Sequence, residues 1–253
     1  MRIFRVLVRM APALLVLVSC ATKPPPVQDQ NLAASHYNVG VAYLNARNLR
    51  QALPELRKAT ELDPSDPNYH NALGMALMLS GQLDDAMKAF EEALRTENRF
   101  SEAKNNLAGA YLFKGDVQKA RTLYLEVLKD PFYPTPHFIY LNLAKINERE
   151  GKFEEAIQEY KRALDIRSDY EEAHNSLGLL YLRMGKMDLA IEELSEATRL
   201  SPNTVDYHRN LGTAYLQAGK RKRAQKEFEK VLQLEPNGRS ADYARRMLEE
   251  VKR

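Results

Sequence analysis

Apolar and small residues recur along this chain with the spacing of paired amphipathic helices, and the pairs follow one another at a constant period. The glycines mark this period most clearly, because neighbours within each of two series lie 34 residues, or a multiple of 34 plus two, apart. The period predicts six repeats, at residues 33–66, 67–100, 101–134, 137–170, 171–204 and 205–238, with two extra residues at 135–136. Nine of the eleven glycines belong to the two series: Gly40, Gly74, Gly178 and Gly212, and Gly81, Gly115, Gly151, Gly185 and Gly219.

Each repeat has the same order of small, large and helix-ending residues. Positions 4, 7, 8 and 11 form one stripe of a first helix, and positions 20, 24 and 27 form one stripe of a second helix. Small residues at positions 8 and 20 let the two helices approach closely, and glycine at position 15 ends the first helix. Since no helix pair can bury its apolar stripe alone, the pairs are expected to stack into an all-α solenoid. An amphipathic segment at 239–253 predicts a capping helix after the sixth repeat.

The 34-residue period with these residues resembles the tetratricopeptide-repeat family over about four fifths of the chain. The resemblance implies that positions 5, 9, 12 and 13 of the first helices face a concave groove. In the first three repeats these positions are largely apolar, and an exposed apolar patch of this kind usually marks a partner site. Two alternatives stay open: tighter packing between repeats, and an array that covers its own N-terminal segment. The predicted partner-binding residues are Tyr37, Val41, Leu44, Met75, Met78, Leu79, Leu112 and Phe113.

The first twenty residues have the pattern of an export signal. Three arginines precede a short apolar stretch from Met10 to Val18, which is too short to span a bilayer as a helix. Leu17 to Cys20 resembles a bacterial lipobox, and this resemblance implies cleavage before Cys20 and acylation of its thiol and amine. An ordinary signal peptide with a nearby cysteine is the alternative. We therefore expect a lipoprotein signal peptide at 1–19, and a lipidated cysteine with an extended, proline-rich tether at 20–32.

The residue after the cysteine bears on localisation. It is Ala21, whereas Asp at this place resembles an inner-membrane retention signal, so the outer membrane is expected. Several acyl chains give a stable anchor. The repeat domain is then expected in the periplasm.

Composition narrows the function classes. The formal net charge of +3 equals the three arginines of the export signal, so the mature chain would carry 34 basic and 34 acidic residues. Such a balance argues against a nucleic-acid binder, and a mean hydropathy of −0.50 excludes a polytopic membrane protein. The single cysteine excludes a disulfide framework and zinc sites of the CxxC type.

The chain offers little that points to catalysis or to a metal. Four histidines share repeat position 4, but each lies in a different repeat, so we expect packing roles and no metal site: His36, His70, His174 and His208. No phosphate-binding loop, HExxH or GxSxG motif occurs, and Cys20 is expected to be used by lipid, so neither an enzyme nor a cofactor is predicted. The basic run Lys220–Arg223 is interpreted as a solvated turn or as a contact for an acidic partner or an anionic polymer of the cell envelope. The segment from Pro131 to His137 predicts a rigid loop between repeats three and four, or one that presents aromatic residues.

The complete order of lipobox, short tether, six repeats and cap resembles the type IV pilus biogenesis lipoproteins, the pilotin group that includes PilF, PilW and Tgl. This resemblance implies a monomeric helper that binds subunits of the secretin and promotes their localisation and multimerisation in the outer membrane, for pilus assembly and motility. The alternative is a lipoprotein adaptor for outer-membrane β-barrel assembly or for cell-wall hydrolases. The groove residues follow from their repeat positions and not from a motif of the family.

Overall fold

The computed structural model of the chain describes residues 26–252, and thirteen α-helices run through this part. Each repeat contributes two helices of 11 to 19 residues, and the last helix stands alone at the C-terminal end. The helices are α1 (Val27–Asn45), α2 (Leu49–Leu62), α3 (Pro67–Leu79), α4 (Leu83–Thr96), α5 (Ser101–Lys114), α6 (Val117–Val127), α7 (Pro136–Arg149), α8 (Phe153–Ile166), α9 (Glu171–Arg183), α10 (Met187–Leu200), α11 (Val205–Gln217), α12 (Arg221–Leu234) and α13 (Arg239–Lys252).

The helices stack in chain order, as an α-solenoid does. Each first helix packs most extensively on the second helix of its own repeat, and each second helix packs on the first helix of the next repeat. The first helices of neighbouring repeats also touch, as α1 with α3, α3 with α5 and α9 with α11. The predicted all-α solenoid of six repeats is therefore confirmed. Helix α13 packs on α12 and α11, and thereby takes the place of the first helix of a seventh repeat.

The first helix begins earlier than the repeat frame predicts. We expected an extended tether up to residue 32, but α1 starts at Val27, directly after Pro26, so residues 27–32 are helical. Proline is tolerated immediately before a helix, and Asp29 lies in the first turn, where its charge complements the helix dipole. The signal peptide, Cys20 and the rest of the predicted tether lie outside the described residues.

The small residue at position 8 sets the distance between the two helices of a repeat. A Cβ atom added to Gly74 would lie 2.5 Å from Cε1 of Phe90, which occupies position 24 of the same repeat. The same addition at Gly40, Gly178 or Gly212 would meet the position-24 side chain at 2.7 to 2.8 Å. Repeats three and four have alanine at position 8, and there tyrosine occupies position 24.

The turns inside the repeats require a left-handed residue at position 15. Glycine supplies it in repeats two to six, with φ between 71° and 89°. Repeat one places Arg47 there, at a φ of 58°, although an L side chain is disfavoured in this region. The turn geometry is thus common to all six repeats even where glycine is absent.

The loop between α6 and α7 has one buried and one exposed aromatic residue. Tyr133 is buried with Val127 and Ile139, while Phe132 is 90% exposed. Pro136 is the first residue of α7, where its missing N–H costs nothing. Both interpretations of this loop therefore apply, because Tyr133 anchors it and Phe132 projects into solvent.

Candidate partner-binding surface

The eight predicted groove residues divide into a buried, a half-buried and an exposed group. Leu44 is only 7% exposed and belongs to the core with Ala52 and Leu56 of α2, so the prediction that it lines an accessible groove is wrong. Its repeat position is the same as that of Met78, but the side chain turns into the contact between α1 and α2.

Three of the predicted residues form the base of the surface. Tyr37, Val41 and Leu112 are half-buried and pack against the cores of the first repeats. The ring centroid of Tyr37 lies 5.0 Å from that of Tyr69. For these three residues, packing between repeats therefore explains why the side chains are apolar, as the first alternative predicts.

The remaining four residues make an exposed apolar surface on the first helices of repeats two and three. Met75, Met78 and Leu79 come from α3, and Phe113 comes from the last turn of α5. Phe113 is 82% exposed and Leu79 is 50% exposed, which is far from the burial usual for such side chains. We call these four residues the apolar face.

A recess adjoins the apolar face between α5 and α7. It has a volume of about 230 Å³ and combines Leu112, Phe113 and Ile146 with Lys145 and Arg149. Gly109 opens it, because a Cβ added there would find no atom closer than the Tyr124 hydroxyl, at 3.9 Å. Burial raises the pKa of Tyr124, so this neighbour stays a neutral phenol. The recess can take an apolar side chain beside a basic wall.

Local hydrogen bonds hold the helices that carry the apolar face. The Asp66 carboxylate accepts from the backbone N–H of Asn68 at 2.8 Å and caps α3. Between the helices, the side-chain amide of Asn106 donates to Asn71 at 2.9 Å. The exposed side chains therefore stand on a fixed backbone.

The position-4 histidines form intramolecular contacts. Nδ1 of His36, His174 and His208 lies 2.6 to 2.7 Å from a glutamate of the second helix in the same repeat. Within residues 26–252, no group of three or more histidine, cysteine, aspartate or glutamate side chains has the geometry of a metal site. Also within this range, no helix is both long and apolar enough to cross a bilayer.

The basic run of repeat six is only partly available to a partner. The sequence predicts a turn here, but Arg221 begins α12, so three of the four residues of the run are helical. Lys220 pairs with Asp188 at 3.3 Å, and the Arg223 guanidinium lies over the ring of Tyr215. Arg221 and Lys222 remain exposed.

A second recess lies between α9, α11 and α13, and the repeat positions alone did not predict it. It has a volume of about 410 Å³ and is lined by Leu179, Leu182, Arg209, Asn210, Thr213, Arg239, Tyr243 and Arg246. Three of these residues belong to the capping helix, which has no repeat position. Two of the exposed basic residues of α13, Arg239 and Arg246, line the recess and were the available signal. We call this the arginine recess.

Comparison with family models defines the class of protein. Models described as tetratricopeptide repeat match residues 37–102, 77–131 and 205–237, and a model described as TPR repeat matches 149–185 and 181–219. Together they span well over half of the chain. The chain therefore belongs to the tetratricopeptide-repeat proteins.

Among curated proteins, the chain is similar to the type IV pilus assembly protein PilF of Pseudomonas aeruginosa. The two are 27% identical over 148 residues, which is 58% of this chain and 59% of PilF. It is also 28% identical over 145 residues to the tetratricopeptide repeat-containing protein trd-1 of Caenorhabditis elegans, covering 18% of that protein. The chain thus spans less than two thirds of these relatives.

Two solved structures have a similar fold over nearly their whole length. The structure of Pseudomonas aeruginosa PilF gives a TM-score of 0.76 at 19% identity, covering 87% of this chain and 99% of that one. The structure of PilW, described as a widely conserved type IV pilus biogenesis factor, gives 0.77 at 18% identity, covering 87% and 98%. At these identities the likeness concerns the fold.

Proposed function

We propose that this protein is a type IV pilus biogenesis factor of the pilotin kind. It binds secretin subunits and promotes their localisation and multimerisation in the outer membrane, and it acts as a scaffold and not as an enzyme. The similarity to PilF in sequence, and to PilF and PilW in fold, supports the role in pilus biogenesis. The observation that carries the binding role is the apolar face, since exposed clusters of large apolar side chains on a folded surface usually mark a partner site.

Two parts of the chain divide the work in this proposal. Lipid on Cys20 holds the protein at the inner surface of the outer membrane, where a secretin must insert. Meanwhile the apolar face binds an apolar segment of the secretin subunit. Met75 and Met78 suit this task, because unbranched thioether side chains adapt to the shape of the bound segment. The recess beside Phe113 would take one anchoring side chain of that segment.

Deletion of the gene tests the role in the cell. We expect loss of detergent-resistant secretin multimers from the outer membrane, together with loss of pili and of pilus-dependent motility. Intact multimers, with altered levels of β-barrel proteins or altered cell-wall cross-linking, would refute the proposal and favour the adaptor function.

A Cys20→Ser variant should leave the protein folded but release it from outer-membrane fractions.

The apolar face is tested by charge introduction. Met75→Glu with Phe113→Glu should reduce co-purification of secretin at least about tenfold, because burying two carboxylates against an apolar partner is costly. Both residues are exposed, so the fold should survive. The matched control is Leu125→Glu with Phe132→Glu, which changes two exposed apolar residues elsewhere. Equal loss of secretin from the two variants would contradict the assignment of the apolar face.

A further inference from the structure

The arginine recess combines cationic groups that the fold leaves only partly neutralised. Arg209 pairs with Asp206 at 2.7 Å, across one turn of α11. Neither Arg239 nor Arg246 has a carboxylate of residues 26–252 within ion-pair distance. No acidic side chain lines the recess. The site therefore has a net positive charge and free guanidinium donors for an anion.

The position of Arg239 strengthens this field. It is the first residue of α13, and the N-terminal end of a helix carries a partial positive charge. A cation at this end is disfavoured by the helix dipole, whereas a bound anion is favoured by both the dipole and the guanidinium. Arg239 thus places positive charge at the N-terminal end of α13, although a helix that only caps the array would not require a cation there.

The recess also has apolar and polar surfaces that a simple anion would not use. Leu179 is 37% exposed, and Leu182 is half-buried beside it. The Asn210 side-chain amide donates to Asn175 at 2.8 Å, which leaves its carbonyl oxygen able to accept from a ligand N–H. The ligand that complements this site has a carboxylate for the arginines, an aliphatic side chain for the two leucines, and a backbone N–H for the carbonyl oxygen of Asn210.

One wall of the recess is held rigid by hydrogen bonds. The Thr213 hydroxyl donates its single hydrogen to the backbone carbonyl of Arg209, at 2.9 Å. It can therefore only accept in its second hydrogen bond, and the Tyr243 hydroxyl is the donor there, at 3.0 Å. The Tyr243 ring packs edge-on against Phe228, with centroids 6.1 Å apart. A ligand therefore meets a formed site, which lowers the entropy cost of binding.

From these features we infer that the arginine recess binds an acidic peptide segment, in which a glutamate or aspartate stands beside an aliphatic residue. The carboxylate lies against Arg239 and Arg246, and the aliphatic side chain contacts Leu179 and Leu182. A volume of about 410 Å³ accommodates a few side chains and not a folded domain. A bilayer surface does not fit, because its headgroups would have to enter a recess between three helices. The recess begins at α9, three repeats beyond α3, and its binding role is independent of the proposed function.

Peptide binding to the full chain tests this inference. The full chain is purified in zwitterionic detergent, so that the test does not depend on lipidation, and the probe is a fluorescein-labelled decapeptide in which leucines alternate with glutamates. We expect measurable binding by fluorescence anisotropy, and a loss of at least about tenfold in affinity for Arg239→Glu with Arg246→Glu. The matched control, Lys222→Glu with Lys226→Glu, makes the same change of charge at exposed residues of the neighbouring helix and should keep most of the affinity.

Three further measurements decide between this ligand and other anions. The same peptide with glutamine in place of glutamate should not bind, and Leu179→Ser should weaken the acidic peptide without changing the charge of the site. Equal loss from both charge variants would overturn the inference, since the attraction would then be non-specific. Full displacement of the peptide by inorganic phosphate, or by phosphatidylglycerol vesicles, would also overturn it in favour of a simple anion or a membrane surface.

Discussion

At the scale of single residues, the contact between positions 8 and 24 shows how closely packing depends on one methyl group. In repeat two the ring of Phe90 occupies the space that a Cβ on Gly74 would need. Gly109 lies one repeat further on, also in a helix, yet a Cβ added there would meet only the Tyr124 hydroxyl, at an ordinary contact distance of 3.9 Å. The two glycines therefore have opposite effects on stability. The period identifies Gly74 as a position-8 packing residue, but it assigns no role to Gly109.

We predict that Gly74→Ala destabilises the protein and that Gly109→Ala stabilises it. The first change forces Phe90 or the helix pair to move, at a cost of about 1–3 kcal/mol. The second removes backbone entropy from the unfolded chain without a clash, which adds about 0.5–1 kcal/mol. Urea denaturation of the two variants measures both effects. A stabilised Gly74→Ala variant would contradict the close approach of α3 and α4.

Residue-level prediction succeeded where a repeat position has one physical reason. The position-8 glycines and the position-15 turns follow from the period, because each meets a constraint on the backbone. At position 8 two helices approach closely, and at position 15 φ is positive. Leu44 was predicted wrongly, since its position is exposed in repeat two but is buried against α2 in repeat one. The exposure of such a side chain depends on its neighbours, which a repeat pattern does not specify.

At the scale of helices, three of the position-4 histidines add a polar contact between two helices that also share an apolar core. Nδ1 of His174 in α9 lies 2.6 Å from Glu193 of α10, and Nε2 lies 3.1 Å from the carbonyl of Ser168, in the loop after α8. Both ring nitrogens face acceptors, so only the imidazolium form donates to both. Burial opposes the charge, but the hydrogen bonds to Glu193 and to Ser168 and the nearby charge of Glu196 raise the pKa of His174 above 6.5.

This geometry predicts a pH-dependent contribution to stability. A pKa that is higher in the folded than in the unfolded chain stabilises the fold at pH values below 6.5, and the contribution is lost as the pH rises through the folded-state pKa. We expect His174→Gln to cost about 1 kcal/mol at pH 5.5 and less at pH 8.5. His70→Gln is the control, because repeat two has Ala89 where repeat five has Glu193. A cost for His174→Gln that does not change with pH would refute the imidazolium assignment.

Helix-level prediction was accurate inside the repeats and weaker at the two ends of the array. The early start of α1 was missed because the three prolines favoured an extended segment, whereas the residues that follow Pro26 contain no helix breaker. The arginine recess was missed because α13 lies outside the periodic frame. Only the packing of α13 on α11 brings Arg239 and Arg246 beside Leu179.

At the scale of the whole molecule, neighbouring parts of the core are joined by a few shared side chains. Tyr111 and Leu123 pack against the core of α1 to α5 and also against the core around Tyr124 and Ile139. Tyr140 and Leu164 contact a single core, the one that contains Tyr160. The contact between these two cores therefore depends on a small number of particular side chains.

We predict that Tyr111→Ala with Leu123→Ala divides thermal unfolding into two transitions. Loss of the shared contacts lets the N-terminal repeats unfold before the rest, as expected for a chain of nearest-neighbour units. Tyr140→Ala with Leu164→Ala removes similar side chains from one core, and it should lower the midpoint while keeping the number of transitions. Differential scanning calorimetry of the full chain separates the two outcomes. A single transition in the first variant would mean that the coupling runs elsewhere.

The pairing of positions 8 and 24 also limits how such an array can change by duplication and recombination of its gene. Repeat two pairs Gly74 with Phe90, while repeat three pairs Ala108 with Tyr124. A crossover between the two positions would join an alanine to the phenylalanine ring, 2.5 Å from where its Cβ must lie. A crossover in the loop between repeats carries both partners together. The unit of exchange between such genes is therefore the complete helical hairpin.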